Sequence, residues 1–278
     1  MGGPACQPPV PIQASVASAA TPADDATLRG GYFGRKFCLA MNPYQQSVGQ
    51  YGYARSQTVD SRARFIVRTY NHLFGALALF TLIEIGLFTS GVADSIAVSL
   101  LATGRGWLLV LGGFMLVGWL ATHTAQTARS LPAQYAALAA YVAAEAIIFV
   151  PLLYMADKIA PSTIKSAAAV SLVGFGALTG IVFVTRKDFS FLGAVLKWAG
   201  IAALLLIGAG MLFGFQLGTF FSVAMIGFAG AAILYDTSNV LRTFPEDRYV
   251  AASLQLFASV ALLFWYVLRL LMSLQSRN

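Results

Sequence analysis

A chain of 278 residues in which 58% are hydrophobic and only 10% charged is too apolar for an ordinary soluble domain and reads as a polytopic membrane protein. Its net charge of +7, from 18 Lys and Arg against 11 Asp and Glu, does not point to nucleic acid, because the basic residues lie in tails and short loops, not along one face. Two cysteines, Cys6 and Cys38, are too few and too loosely placed for a disulfide framework or a zinc site, and read as free thiols.

Residues 1–57 are rich in Pro, Gly, Ala, Ser and Gln, lack an apolar run of signal-peptide length and cannot bury a core, so a disordered cytoplasmic tail is expected there. The opening MGGPAC resembles a myristoylation site, but Cys6 stands where Ser or Thr is required. Residues 58–278 form the membrane domain. Runs of about 20 apolar residues, the length that crosses a bilayer, predict an all-α bundle of seven transmembrane helices near 66–89, 106–123, 134–156, 163–184, 190–213, 216–240 and 249–274.

The first span opens with Arg62, Arg64 and Arg68, continues through Tyr70, Asn71 and His72, and carries Glu84 near its far end. The second is glycine-rich and ends at His123 and Arg129. The third carries Glu145 at mid-depth and Pro151, an expected kink. Small-xxx-small spacings in the fourth and fifth spans, Gly176 with Gly180 and Gly210 with Gly214, suit close helix approach in lipid. Between those spans lies TRKDFSFLG, residues 185–193, with Asp188 placed to cap the next helix. The sixth span, MIGFAGAAILYDTSNVLR, ends by carrying Asp236, Thr237, Ser238 and Asn239 towards the membrane edge. The seventh holds Ser259 midway and Arg269 near its far end.

Basic residues set the expected orientation. With the N-terminus inside, Arg55, Arg62, Arg64, Arg68, Arg129, Arg186, Lys187, Arg242 and Arg248 fall on the inner side, against Arg105, Lys158, Lys165 and Arg277 outside. The C-terminus then lies outside.

Three intramembrane acids demand explanation, because insertion scales charge an ionised Asp at mid-helix about 2.5 to 3.5 kcal/mol and such residues need a partner, a cavity or a proton. Asp236 is either a gate or proton sensor or a structural helix-end acid held by Ser238 and Asn239. At about 1.5 Å of rise per residue it shares a layer with Ser259, and the inner-half cations Arg68, His72 and Lys197 are its expected partners. Glu145 either lines a cavity and contacts ions or is a protonated acid bonded to a neighbouring helix. Glu84 and Arg269 lie at similar outer depth and are expected to pair.

His72 and His123 have no second ligand one turn away, so no metal site is expected. Protease, hydrolase and phosphate-loop motifs are absent, and neither Asp188 nor Asp236 stands in the glycine-bearing motif an intramembrane aspartyl protease needs. No catalytic residue and no cofactor are expected.

ILYDTSNVLR at the end of the sixth span and TRKDFSFLG between the fourth and fifth, in this order in a seven-span chain with a polar tail, resemble the Bax inhibitor family, the transmembrane Bax inhibitor motif proteins. The resemblance runs from about Arg62 to the C-terminus. It implies a bundle of six helices around a central seventh and, as in several members, a pH-sensitive calcium leak. There an Asp in the sixth helix and another in the seventh share a proton that gates the path. Asp236 matches the first. Ser259 falls at the second, and no acid occurs between Tyr249 and Asn278. Ser259 can donate and accept a hydrogen bond but cannot share a proton as a dyad does, and the missing acid weakens a calcium site. Bacterial members resemble the chain in this respect, and some are associated with regulation of a membrane-bound AAA protease. The expectation is therefore a bacterial inner-membrane protein passing calcium or another cation, or a non-conducting regulator of such a protease.

Overall fold

The computed structural model describes residues 43–102, 107–159, 161–215 and 217–275, with side chains from Asp60 onward except those of 107–109. The chain divides into two units, 1–56 and 57–278, and the packing described below is that of the second. Cys6, Cys38 and the MGGPAC segment lie outside the described residues.

Among the described residues eight helices follow one another: α1 (Pro43–Thr89), α2 (Val92–Ala102), α3 (Trp107–Thr127), α4 (Leu131–Ile159), α5 (Ser162–Thr185), α6 (Leu192–Phe213), α7 (Thr219–Arg242) and α8 (Tyr249–Gln275). Among the described residues six are long and apolar enough to cross a membrane, the span of α1 from Asp60 to Thr89 together with α4 to α8, at 22 to 30 residues each. The predicted second span coincides with α3, whose 21 residues reach about 31 Å at 1.5 Å per residue. Pro151 sits inside α4, which continues through it.

Helix α2 was not legible as an apolar run, since its 11 residues rise only about 17 Å. It follows a turn at Gly91, whose φ of 75° suits glycine, and buries Ala93 and Ala97 in a small cluster with Val150 of α4.

Helices α4 and α8 are the most enclosed spans and α6 the least. α8 packs against α3, α4, α5 and α7, whereas α6 leans chiefly on α7. Phe149 of α4 links much of the core. Its ring meets Phe80 of α1 edge-on at 5.1 Å, Phe264 of α8 in a stack at 5.6 Å and Trp265 edge-on at 4.9 Å. Such contacts matter in a bilayer, where helices associate by packing and polar contacts rather than by a hydrophobic drive.

Candidate functional site

The sequence of α7 explains why its end carries the site. Small and apolar residues propagate the helix to Arg242, where the N–H groups of Thr243 and Phe244 bond to the Asn239 carbonyl at 2.8 and 3.0 Å and Pro245 prevents continuation. Asp236, Thr237 and Ser238 on that last stretch are all buried.

Asp236 is 4% exposed, and two side chains of α8 hold its carboxylate. The Gln255 amide donates to Oδ1 at 2.6 Å and the Ser259 hydroxyl to Oδ2 at 2.5 Å. Gln255 and Ser259 are four residues apart, which puts them on one face of α8. The layer shared by Asp236 and Ser259 is therefore formed, but the expected basic partner is replaced by neutral donors. Among the described residues no ion pair within 4 Å involves Asp236. Arg68 lies over the Tyr249 ring, 5.7 Å from its centroid. His72 bonds to the Arg68 carbonyl at 2.6 Å and the Tyr135 hydroxyl at 2.8 Å. Lys197 is exposed on α6.

The arginines instead serve backbone carbonyls left open at helix ends. Arg62 donates to the carbonyls of Val240 at 2.8 Å, Leu241 at 3.2 Å and Phe244 at 2.5 Å, tying the start of the first span to the end of α7. Arg248 donates to the Ala128 carbonyl at 2.7 Å. Arg242 donates to the Arg186 carbonyl, and Arg186 closes α5 in the left-handed region at φ 49°.

The two motif segments thus form one structure. Besides the Arg242 contact, the Phe189 N–H donates to the Ser238 hydroxyl at 3.2 Å, and the Tyr235 ring covers Gly193 so closely that an added Cβ would sit 2.8 Å from it. Asp188 does not cap α6 itself. It accepts from the Ser190 N–H at 2.9 Å, closing the turn ahead of the helix. That bond, then the Ser190 hydroxyl and the nearby Arg242, hold its carboxyl below the usual range.

The remaining acids occupy separate places. Glu145 is buried and lines a cavity of about 640 Å³ whose walls include Phe114, Met211, Phe228 and Arg269. Its Oε2 has no partner among the described residues, and Tyr141, one turn back, is its polar neighbour. The expected Glu84–Arg269 pair is not made. Arg269 donates to the Leu217 carbonyl at 2.9 Å, while both Glu84 carboxylate oxygens are buried without a hydrogen-bond partner among the described residues. Equal depth does not imply the same side of a bundle.

His123 stacks on Trp119 at 5.6 Å. No group of three or more His, Cys, Asp or Glu suited to a metal occurs among the described residues.

Residues 62–277 match the family model described as inhibitor of apoptosis-promoting Bax1. A BI1-like protein of Arabidopsis thaliana is 34% identical over 39% of this chain and 44% of its own length. Bax inhibitor 1 of Schizosaccharomyces pombe is 32% identical over 41% of this chain and 44% of its own length. An uncharacterized protein of Pseudomonas aeruginosa is 35% identical over 39% of this chain and 49% of its own length. The chain thus spans less than half the length of each of these relatives. With two-thirds or more of the chain inside the family match and its two motif segments interlocked at one end of the bundle, the protein belongs to the Bax inhibitor family.

Proposed function

We propose that the protein is a pH-responsive passive leak for calcium or another cation, guarded by Asp236. The observation that carries this reading is a carboxylate buried beside α8 and held by two neutral donors, Gln255 and Ser259. Among the described residues no ion pair within 4 Å fixes its charge, so its protonation is free to change its company. Ser259 can serve both states, donating to the ionised acid and accepting from the protonated one. Unlike a pair of acids, it cannot pass the proton across.

The reading includes α3 as the seventh crossing and α8 at the centre of the bundle. Seven crossings are supported by the bonds of Arg62, Arg242 and Arg248, which gather the ends of α3, α5 and α7 at one rim. Those same arginines support an inner rim, a cytoplasmic tail at residues 1–57 and a C-terminus outside; an inner-membrane location belongs to the same reading. Glu145, facing the cavity it shares with Arg269, would act as a secondary contact for the passing ion.

The test is calcium flux into liposomes holding the purified protein, at acidic and neutral pH. Wild type should give flux that differs between the two, and Asp236→Asn should abolish the difference. Flux indistinguishable from protein-free liposomes at both pH values refutes conduction. A second reading is favoured by one observation: no acid faces Asp236 from α8. It makes the protein a non-conducting regulator of a membrane-bound AAA protease, and co-purification with that protease, alongside absent flux, would establish it.

A further inference from the structure

Glu84 and its surroundings belong to neither the Asp236 site nor the Glu145 cavity. Polar side chains from three helices line a cavity of about 360 Å³, among them Glu84 of α1, Ser171 of α5 and Asp157 of α4. Glu84 is 7% and Ser171 2% exposed, and among the described residues neither carboxylate oxygen of Glu84 nor the Ser171 hydroxyl has a hydrogen-bond partner. Asp157 stands exposed at the mouth and makes no ion pair within 4 Å among the described residues. The adjacent Lys158 turns to the Tyr154 ring instead.

Thr81 of α1 also lines the cavity, its hydroxyl donating to the Leu77 carbonyl at 2.8 Å, and the remaining walls are hydrocarbon, with the rings of Phe80, Phe257 and Phe264 among them. Calcium takes six to eight oxygens, and phenyl and aliphatic carbon supply none. Orphaned buried acceptors ask for N–H donors, preferably charged ones. Aromatic walls favour an apolar body and attract a cation over their faces. The volume falls at the small end of ligand pockets, about 300 to 1,000 Å³. Ile85 and Leu172, which also line the cavity, are half exposed on faces of α1 and α5, giving an entrance from the apolar side of the bundle.

We propose that this cavity binds a small organic ammonium, an alkyl- or arylamine whose protonated head lies against Glu84 and Ser171 and whose apolar body lies among the phenyl rings, with Asp157 drawing the cation to the mouth. The site is independent of conduction through Asp236.

Titration of the purified full chain in detergent with 2-phenylethylammonium, followed by saturation-transfer NMR and calorimetry, tests it. The neutral isostere 2-phenylethanol is the control. Saturable binding at least tenfold tighter than that of the alcohol is expected. Glu84→Gln, nearly isosteric, should remove that preference, Ser171→Ala should weaken binding severalfold, and Asp236→Asn should leave it unchanged. Should Glu84→Gln not fold, Asp157→Asn takes its place, with a severalfold weakening expected. Equal binding of amine and alcohol would mean a cavity filled by hydrocarbon alone and would overturn the proposal. So would absence of binding, or stoichiometric displacement of the amine by millimolar calcium with the same dependence on Glu84. None of these results bears on the flux assay.

Discussion

Replacing Ser259 by Ala removes one of the two donors on Asp236 and little else. The Ala methyl fills the space of the serine Cβ, so no cavity of consequence opens, and Gln255 remains at 2.6 Å. A hydrogen bond to a charged group contributes about 1.5–3 kcal/mol and a neutral one about 0.5–1.5 kcal/mol. The 2.5 Å contact in a buried layer places the expected loss at about 2–3 kcal/mol while the carboxylate is ionised. It should fall towards about 1 kcal/mol once the acid carries a proton. Reversible unfolding in mixed micelles with increasing SDS, followed by tryptophan fluorescence across a pH series, measures both values. Combining Ser259→Ala with Gln255→Leu should cost more than the two changes summed, because the second removal strips the last donor from a buried acid. A Ser259→Ala protein within about 0.5 kcal/mol of wild type at every pH, below even a neutral bond, would refute the claim that Ser259 holds Asp236.

Three further outcomes are expected. Arg62→Ala should destabilise by about 2–4 kcal/mol, since it leaves three carbonyls at the end of α7 to half-buried surroundings, and Arg62→Lys should recover less than half because an ammonium cannot span all three; the same SDS titration reads both. Gly193→Ala should push the Tyr235 ring off the α5–α6 turn at about 1–3 kcal/mol, and Tyr235→Ala in the same background should relieve part of that cost. Asp188→Asn should lower the unfolding midpoint above the ordinary Asp value of 3.8, where the lowered carboxyl of the native state is ionised and bonded to Ser190. As pH falls through that lowered value the wild-type advantage is lost, and a difference that persists or grows in acid would contradict the assignment.

The long spans were legible because each carries about 20 apolar residues, and their observed ends fall within a few positions of the runs, as with 249–274 against Tyr249–Gln275. Rise per residue was enough to put Asp236 and Ser259 in one layer, since both lie on the same pair of neighbouring helices. It fails for azimuth. Glu84 and Arg269, expected at one depth, line different cavities, and only packing decides which way a helix turns. Depth in the inner half likewise does not bring Arg68, His72 or Lys197 to Asp236: Arg68 lies over the Tyr249 ring, His72 bonds to the Arg68 carbonyl and the Tyr135 hydroxyl, and Lys197 is exposed. Gln255 escaped notice as a neutral amide. Its place one turn before Ser259 was the available signal. The interlock of TRKDFSFLG with YDTSN was visible only as two segments occurring together, since a glycine that admits a tyrosine ring looks like any other glycine in a sequence.

The Arg62 clamp has a bearing on biogenesis. Its three acceptors lie 178 to 182 residues downstream, so during synthesis the guanidinium cannot reach them until α7 and the residues just after it have left the ribosome. The bundle is therefore sealed late, by a residue made early. Nascent chains arrested before Thr219 should leave the first span accessible to crosslinkers or chaperones, and release of α7 should end the exposure in a single step.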